Sequence, residues 1–118
     1  MPAKLSTHVL DTANGCPAQG MKIELWSIEG DARKLLKTIH TNSDGRTDQP
    51  LLSSNEMNAG QYELVFYVGD YFAAKGGSPP ARCFLDQVPV RFGIGDTNTS
   101  CHVPLLVSPW AYTTYRGS

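Results

Sequence analysis

Apolar residues fall on alternate positions in one segment of this chain after another, and that period of two limits what it can fold into. Leu5, Thr7 and Val9 share one face of a first segment, with Ser6, His8 and Leu10 on the other. Met21, Ile23 and Leu25 oppose Lys22 and Glu24, while Tyr62, Leu64, Phe66 and Val68 oppose Glu63, Val65 and Tyr67. Val88, Val90, Phe92 and Ile94 form a further set, and Cys101, Val103, Leu105 and Val107 another. Successive side chains of a β-strand point to opposite faces, so each such segment reads as a strand with one covered side.

Turn chemistry separates the segments. Asp11–Pro17 contains Asn14-Gly15, Thr41–Gly45 ends on a glycine able to adopt positive φ, and Gly95–Asn98 and Ser108-Pro109 close two more. Strands are predicted over Leu5–Leu10, Met21–Ile28, Leu35–Thr41, Tyr62–Val68, Val88–Ile94, Cys101–Val107 and Trp110–Tyr115. Thr47–Ser54 reads as a short edge strand or irregular, because Pro50 interrupts it. Trp26 breaks the alternation of its strand, so both faces are expected to be partly covered there. The one helical candidate runs from Asp70, a cap, to Gly76, a stop, and is too short to stand without docking on a sheet. Gly76–Pro80 reads as a loop. The sum is an all-β sandwich of two sheets with one short helix, in a single domain spanning residues 1–118.

A chain of 118 residues can bury roughly two-thirds of its unfolded surface. Its net charge of −1 leaves no basic stripe for nucleic acid. No apolar run has the length to span a membrane, and no apolar secretory segment follows Met1-Pro2-Ala3-Lys4, so a cytoplasmic protein is expected. Cys16, Cys83 and Cys101 are odd in number and lack metal-site spacing, which predicts reduced thiols and no metal. Cys101 and His102 are neighbours on a strand, so they face opposite ways and cannot share an ion.

None of the common nucleophile, metal-protease or phosphate-loop motifs is present. His8 and His102 both lie opposite the apolar set of their own strands and are expected to point outward, whereas His40 reads as ordinary surface. Arg46 is the first residue out of its turn. The chain finishes an aromatic strand with Tyr115-Arg116-Gly117-Ser118, an ending that looks positioned, though chain ends usually fray. Spacing alone does not bring these residues together.

Leu5-Ser6-Thr7-His8-Val9-Leu10-Asp11, Asn14-Gly15, Pro17-Ala18, Asp44-Gly45-Arg46, Gly60-Gln61-Tyr62 and Pro89-Val90-Arg91-Phe92 resemble the transthyretin-related family. His102-Val103-Pro104-Leu105-Leu106 and the closing Tyr115-Arg116-Gly117-Ser118 are similar to its enzyme branch, the 5-hydroxyisourate hydrolases. The resemblance implies a transthyretin-like (prealbumin-like) sandwich of two four-stranded sheets. It also implies a homotetramer, a dimer of dimers, with active sites in a channel at the dimer–dimer interface.

The implied reaction is hydrolytic opening of the six-membered ring of 5-hydroxyisourate, without a cofactor, in urate degradation. On this resemblance His8 activates water with Arg46 helping to keep it neutral, and His102 holds the substrate or relays a proton, the two histidine roles being exchangeable. Tyr115, Arg116, Gly117 and Ser118 close the pocket on the substrate. A transthyretin-type carrier without turnover shares the fold but should lack this set of residues.

Overall fold

A computed structural model describes residues 2–76 and 83–117; Met1, the 77–82 segment within and beyond the expected loop, and Ser118 lie outside the described residues. The strands are β1 (Leu5–Asp11), β2 (Cys16–Pro17), β3 (Lys22–Glu29), β4 (Ala32–His40), β5 (Gly60–Tyr67), β6 (Gln87–Ile94), β7 (Cys101–Val107) and β8 (Tyr112–Thr114). One helix, α1 (Val68–Lys75), follows β5 directly, and Ser54–Glu56 makes a single 3-10 turn. They form two four-stranded sheets in the orders β2-β1-β7-β8 and β4-β3-β5-β6. Neighbours are antiparallel except β1 and β7, which run parallel with Ser6 opposite His102 and His8 opposite Pro104.

The predicted inner faces meet between the sheets. Leu5, Val9, Leu105 and Val107 from one sheet pack with Ile23, Leu25, Leu64 and Phe66 from the other, all fully buried. Burying a side chain of this size stabilises the fold by about 1.5–3 kcal/mol, so the alternation read from sequence carries much of the driving force. On β1 the pattern is strict, Leu5, Thr7, Val9 and Asp11 being buried and Ser6, His8 and Leu10 partly exposed. The covered side therefore dictates which side is left for chemistry.

Several boundaries moved, each for a physical reason. The Asp11–Pro17 turn also contains β2, whose Cys16 and Pro17 pair with Asp11 and Leu10. β4 starts at Ala32 rather than Leu35; Ala32, Arg33 and Lys34 are exposed on an edge strand, so no apolar alternation marks them. Val68 begins the helix instead of ending the strand, and Asp70 sits in the first turn while Tyr67 occupies the cap position. Gly76 does end the helix, its N–H donating to the Phe72 carbonyl at 2.9 Å. β8 is shorter than predicted, and Trp110 is left 72% exposed before it.

Glu63 and Val65 are buried although they belong to the outward set of β5. Arg33 and Arg91 lie across that face and bind the Glu63 carboxylate at 2.7 and 3.2 Å. Trp26 sits at a shift of register between β3 and β4, half-buried, with the Arg33 guanidinium 4.2 Å over its ring. Long charged side chains thus cover apolar surface that the alternation left open.

Candidate active site

The outward face of β1 and β7 brings together residues far apart in the chain. Parallel pairing in register puts Ser6 beside His102, and Ser6 Oγ lies 2.8 Å from His102 Nδ1. Pro104, which has no N–H for the ladder, has its carbonyl taken up by the Thr114 hydroxyl at 2.7 Å.

Arg46 is delivered by the Thr41–Arg46 turn, which is built around Asn42. The Asn42 side-chain oxygen accepts from the Asp44 and Arg46 amides at 2.9 and 3.2 Å, and the Asn42 amide donates to the Arg46 carbonyl at 2.7 Å. The turn docks on β1 through Val9 N–H donating to the Gly45 carbonyl at 2.8 Å. Gly45 has φ +74°, and a Cβ there would collide with the Val9 carbonyl oxygen, so only glycine fits. His8 fastens the same turn from the other side, its Nε2 2.9 Å from the Asp44 carbonyl oxygen. A carbonyl only accepts, so Nε2 carries the hydrogen and the neutral His8 ring has its lone pair on Nδ1.

A cleft of about 330 Å³ opens here, lined by Lys4, Ser6, Arg46, Thr47, Asp48 and His102 among others. His102 is half-buried, and its pKa is pushed below the usual imidazole value. Burial is the largest cause, followed by the Arg46 guanidinium and the His8 ring, with the Ser6 main chain opposing. The ring is therefore neutral at neutral pH. Arg46 is exposed, and among the described residues no carboxylate is paired with it. Its donor fork remains available to a ligand.

The C-terminal residues divide. Gly117 bridges to His102, donating its N–H to the His102 carbonyl at 2.9 Å. Arg116 lies on another side, lining a separate cavity with Asp96, Thr99 and Cys101. Tyr115 is exposed, and Ser118 is outside the described residues. Within one chain, then, Arg46 and His102 share the cleft, with the His8 ring near enough to act on His102 and Gly117 packed against it. His8, Gly117, Tyr115 and Arg116 are not among the residues that line the cleft. Sequence reasoning missed Ser6 and Asn42. Ser6 had one signal, its place two residues before His8 on the same face of β1.

A larger cavity of about 580 Å³ opens among Ile28, Lys34, Leu36, Glu56 and Tyr62. It holds no imidazole, and its Lys37 and Glu56 pair with each other at 2.9 Å. His40 is exposed at the end of β4, beside Lys22 and Tyr67 and away from the other histidines. All three cysteines are free, and no cluster of potential metal ligands occurs among the described residues. No helix among the described residues is long and apolar enough to cross a membrane.

The sequence matches the model of the HIUase/Transthyretin family over residues 5–117. The chain belongs to that family. A family relative, 5-hydroxyisourate hydrolase 2 of Rhizobium meliloti (strain 1021), is 57% identical over 115 residues, covering 98% of this chain and 96% of the relative. The solved structure of Klebsiella pneumoniae 5-hydroxyisourate hydrolase superposes with a TM-score of 0.80 at 34% identity, covering 98% and 99% of the two chains. The crystal structure of (S)-allantoin synthase matches with a TM-score of 0.89 at 47% identity over 99% of this chain, which spans 45% of that longer protein.

Proposed function

We propose that this chain, as a single transthyretin-like domain, hydrolyses 5-hydroxyisourate to 2-oxo-4-hydroxy-4-carboxy-5-ureidoimidazoline in urate breakdown. Water adds to the electrophilic ring carbonyl, the C–N bond breaks, and the nitrogen leaves with a proton while the carbon becomes a carboxylate. The chemistry needs a base for the water, donors for the oxyanion and a shaped cleft. His8 acts as the base through Nδ1, the nitrogen left free by its bond to Asp44. His102 and Arg46 supply donors to the oxyanion and a substrate carbonyl. Two imidazoles on the outward face of β1 and β7, and beside them a guanidinium with no carboxylate partner among the described residues, carry this reading, and a carrier has no need of them.

The reading extends to a homotetramer, a dimer of dimers, with the outward face of β2-β1-β7-β8 lining the channel between dimers. The half-buried Leu10 and Leu106 on that face, and the exposed Trp110 and Tyr112 beside the β8 edge, support such burial. In the assembly Tyr115, Arg116, Gly117 and Ser118 close the pocket on the substrate. A cytoplasmic location fits the reaction.

The test is to generate 5-hydroxyisourate with urate oxidase, add the protein, and follow both decay of the substrate and optical activity of the product. Faster decay with an optically active product is expected; decay at the spontaneous rate to a racemate would refute the activity. A tag extending the chain beyond Ser118 should impair turnover, and an unimpaired tagged enzyme would remove the tail from the pocket.

A further inference from the structure

The surrounding chain holds the His102 ring on two edges. Nδ1 faces the Ser6 hydroxyl at 2.8 Å, and the Gly117 backbone lies so close that a Cβ there would sit 2.5 Å from Cδ2. Sheet register sets the serine contact, since Ser6 and His102 are direct partners across β1 and β7. Nε2, at the far edge of the ring, has no hydrogen-bond partner among the described residues.

A neutral imidazole carries one hydrogen, and the partner of one nitrogen decides which of the two holds it. The hydroxyl can donate or accept, so its direction follows from what else is within its reach. Among the described residues Ser6 Oγ has the His102 ring as its one partner. Of the other side chains lining the cleft, Arg46 and Lys4 are donors only. The Asp48 carboxylate accepts from the Asn42 side-chain amide at 3.0 Å, the Thr47 hydroxyl donates to the Gln49 carbonyl, and neither Asp48 nor Thr47 is bonded to Ser6. The Thr7 hydroxyl is committed to the Val103 carbonyl at 2.6 Å.

We propose that Ser6 is a positioning residue that donates its hydroxyl hydrogen to His102 Nδ1 and so fixes His102 as the Nε2–H tautomer. This rests on the hydrolase reading above and assigns the two histidines within it. His8, tied through Nε2 to Asp44, presents a lone pair to water; His102, tied through Nδ1 to Ser6, presents an N–H to the substrate. The two rings are set in complementary states by their neighbours. When His102 takes up a proton, both nitrogens donate and the serine hydroxyl turns to accept, so one residue serves either state. Alanine serves neither.

The experiment is long-range 1H–15N spectroscopy of the full-length, uniformly 15N-labelled protein without substrate, above the His102 titration, with its ring assigned by substituting each histidine in turn. In the unsubstituted protein His102 should show a bare Nδ1 and a protonated Nε2. Ser6→Ala should give a mixture of tautomers and lower kcat about tenfold, the scale of one hydrogen bond, with KM changing less than about twofold. Ser6→Thr should restore both the spectrum and the rate. A protonated Nδ1 in the unsubstituted protein overturns the proposal, as does a Ser6→Ala variant with unchanged tautomer and rate. If Ser6→Ala does not fold, the unsubstituted and Ser6→Thr spectra still decide. The spectra need no turnover, so an inactive protein would sink the hydrolase reading alone, and an active one with the wrong tautomer would sink this assignment alone.

Discussion

The two faces of β1 carry two polar clusters with opposite fates. On the inner face Asp11 is buried, and its carboxylate accepts from the Ala13 and Asn14 amides, the Asn14 side chain and the Tyr71 hydroxyl, at 2.7–3.0 Å. Burial alone would raise its pKa, but these bonds outweigh it and hold the carboxyl below its ordinary value. Burial and the Asp11 carboxylate push Tyr71 the other way, above the usual phenol range. On the outer face, His8 and His102 each use one nitrogen on the protein, and Arg46 has no carboxylate partner among the described residues. A polar group whose bonds are all made inside the chain stabilises the chain. One held in place with bonding capacity to spare is ready for a substrate.

That contrast breaks if the outer cluster turns out to matter for stability or the inner one for rate. The largest effects belong to His8→Ala, Arg46→Ala and His102→Ala, each of which should lower kcat/KM about 10²- to 10⁴-fold. Thermal unfolding and sedimentation should stay near those of the parent; full activity in all three would empty the cleft of its role. Asp11→Ala should do the reverse. It leaves buried donors, the Tyr71 hydroxyl among them, without an acceptor and costs about 3 kcal/mol in denaturant unfolding, while turnover per folded molecule holds.

Gly45→Ala joins the two regions, because strain at φ +74° costs about 1–3 kcal/mol and the same turn carries Arg46. Both stability and rate should fall, and a variant losing stability alone would show that the turn tolerates displacement. Tyr71→Phe, removing one partner of Asp11, should cost about 1 kcal/mol.

Titration sharpens the comparison with the smallest effects. The Asp11 carboxyl is depressed on folding, so its stabilisation is present above its ordinary pKa and is lost as pH falls through its folded value. Asp11→Asn should flatten that part of the stability profile. His102 is depressed by burial and by Arg46, so activity that depends on the neutral ring should persist to lower pH than an ordinary imidazole allows. Arg46→Ala should move the acid limb of its residual activity upward; an unmoved limb would mean that the observed titration belongs to another group.

The residues themselves determined the inner and outer faces. Leu5, Val9, Leu105 and Val107 reach the core as their alternation dictates, and His8 and His102 are turned away from it by the same rule. Period two and turn chemistry act between near neighbours, so they can be read along the chain. Glu63, Val65 and the start of β4 escaped that reading. Salt-bridging arginines cover Glu63, and an exposed edge needs no pattern.

Tertiary structure alone decided that Ser6 and His102, 96 positions apart, would touch, and that a turn built on Asn42 would bring Arg46 beside them. The first depends on the parallel register of β1 with β7, which joins segments across most of the chain's length, and the second on the docking of that turn against Val9 of β1. Local alternation sets which way a side chain points; only the pairing of distant strands sets what it meets.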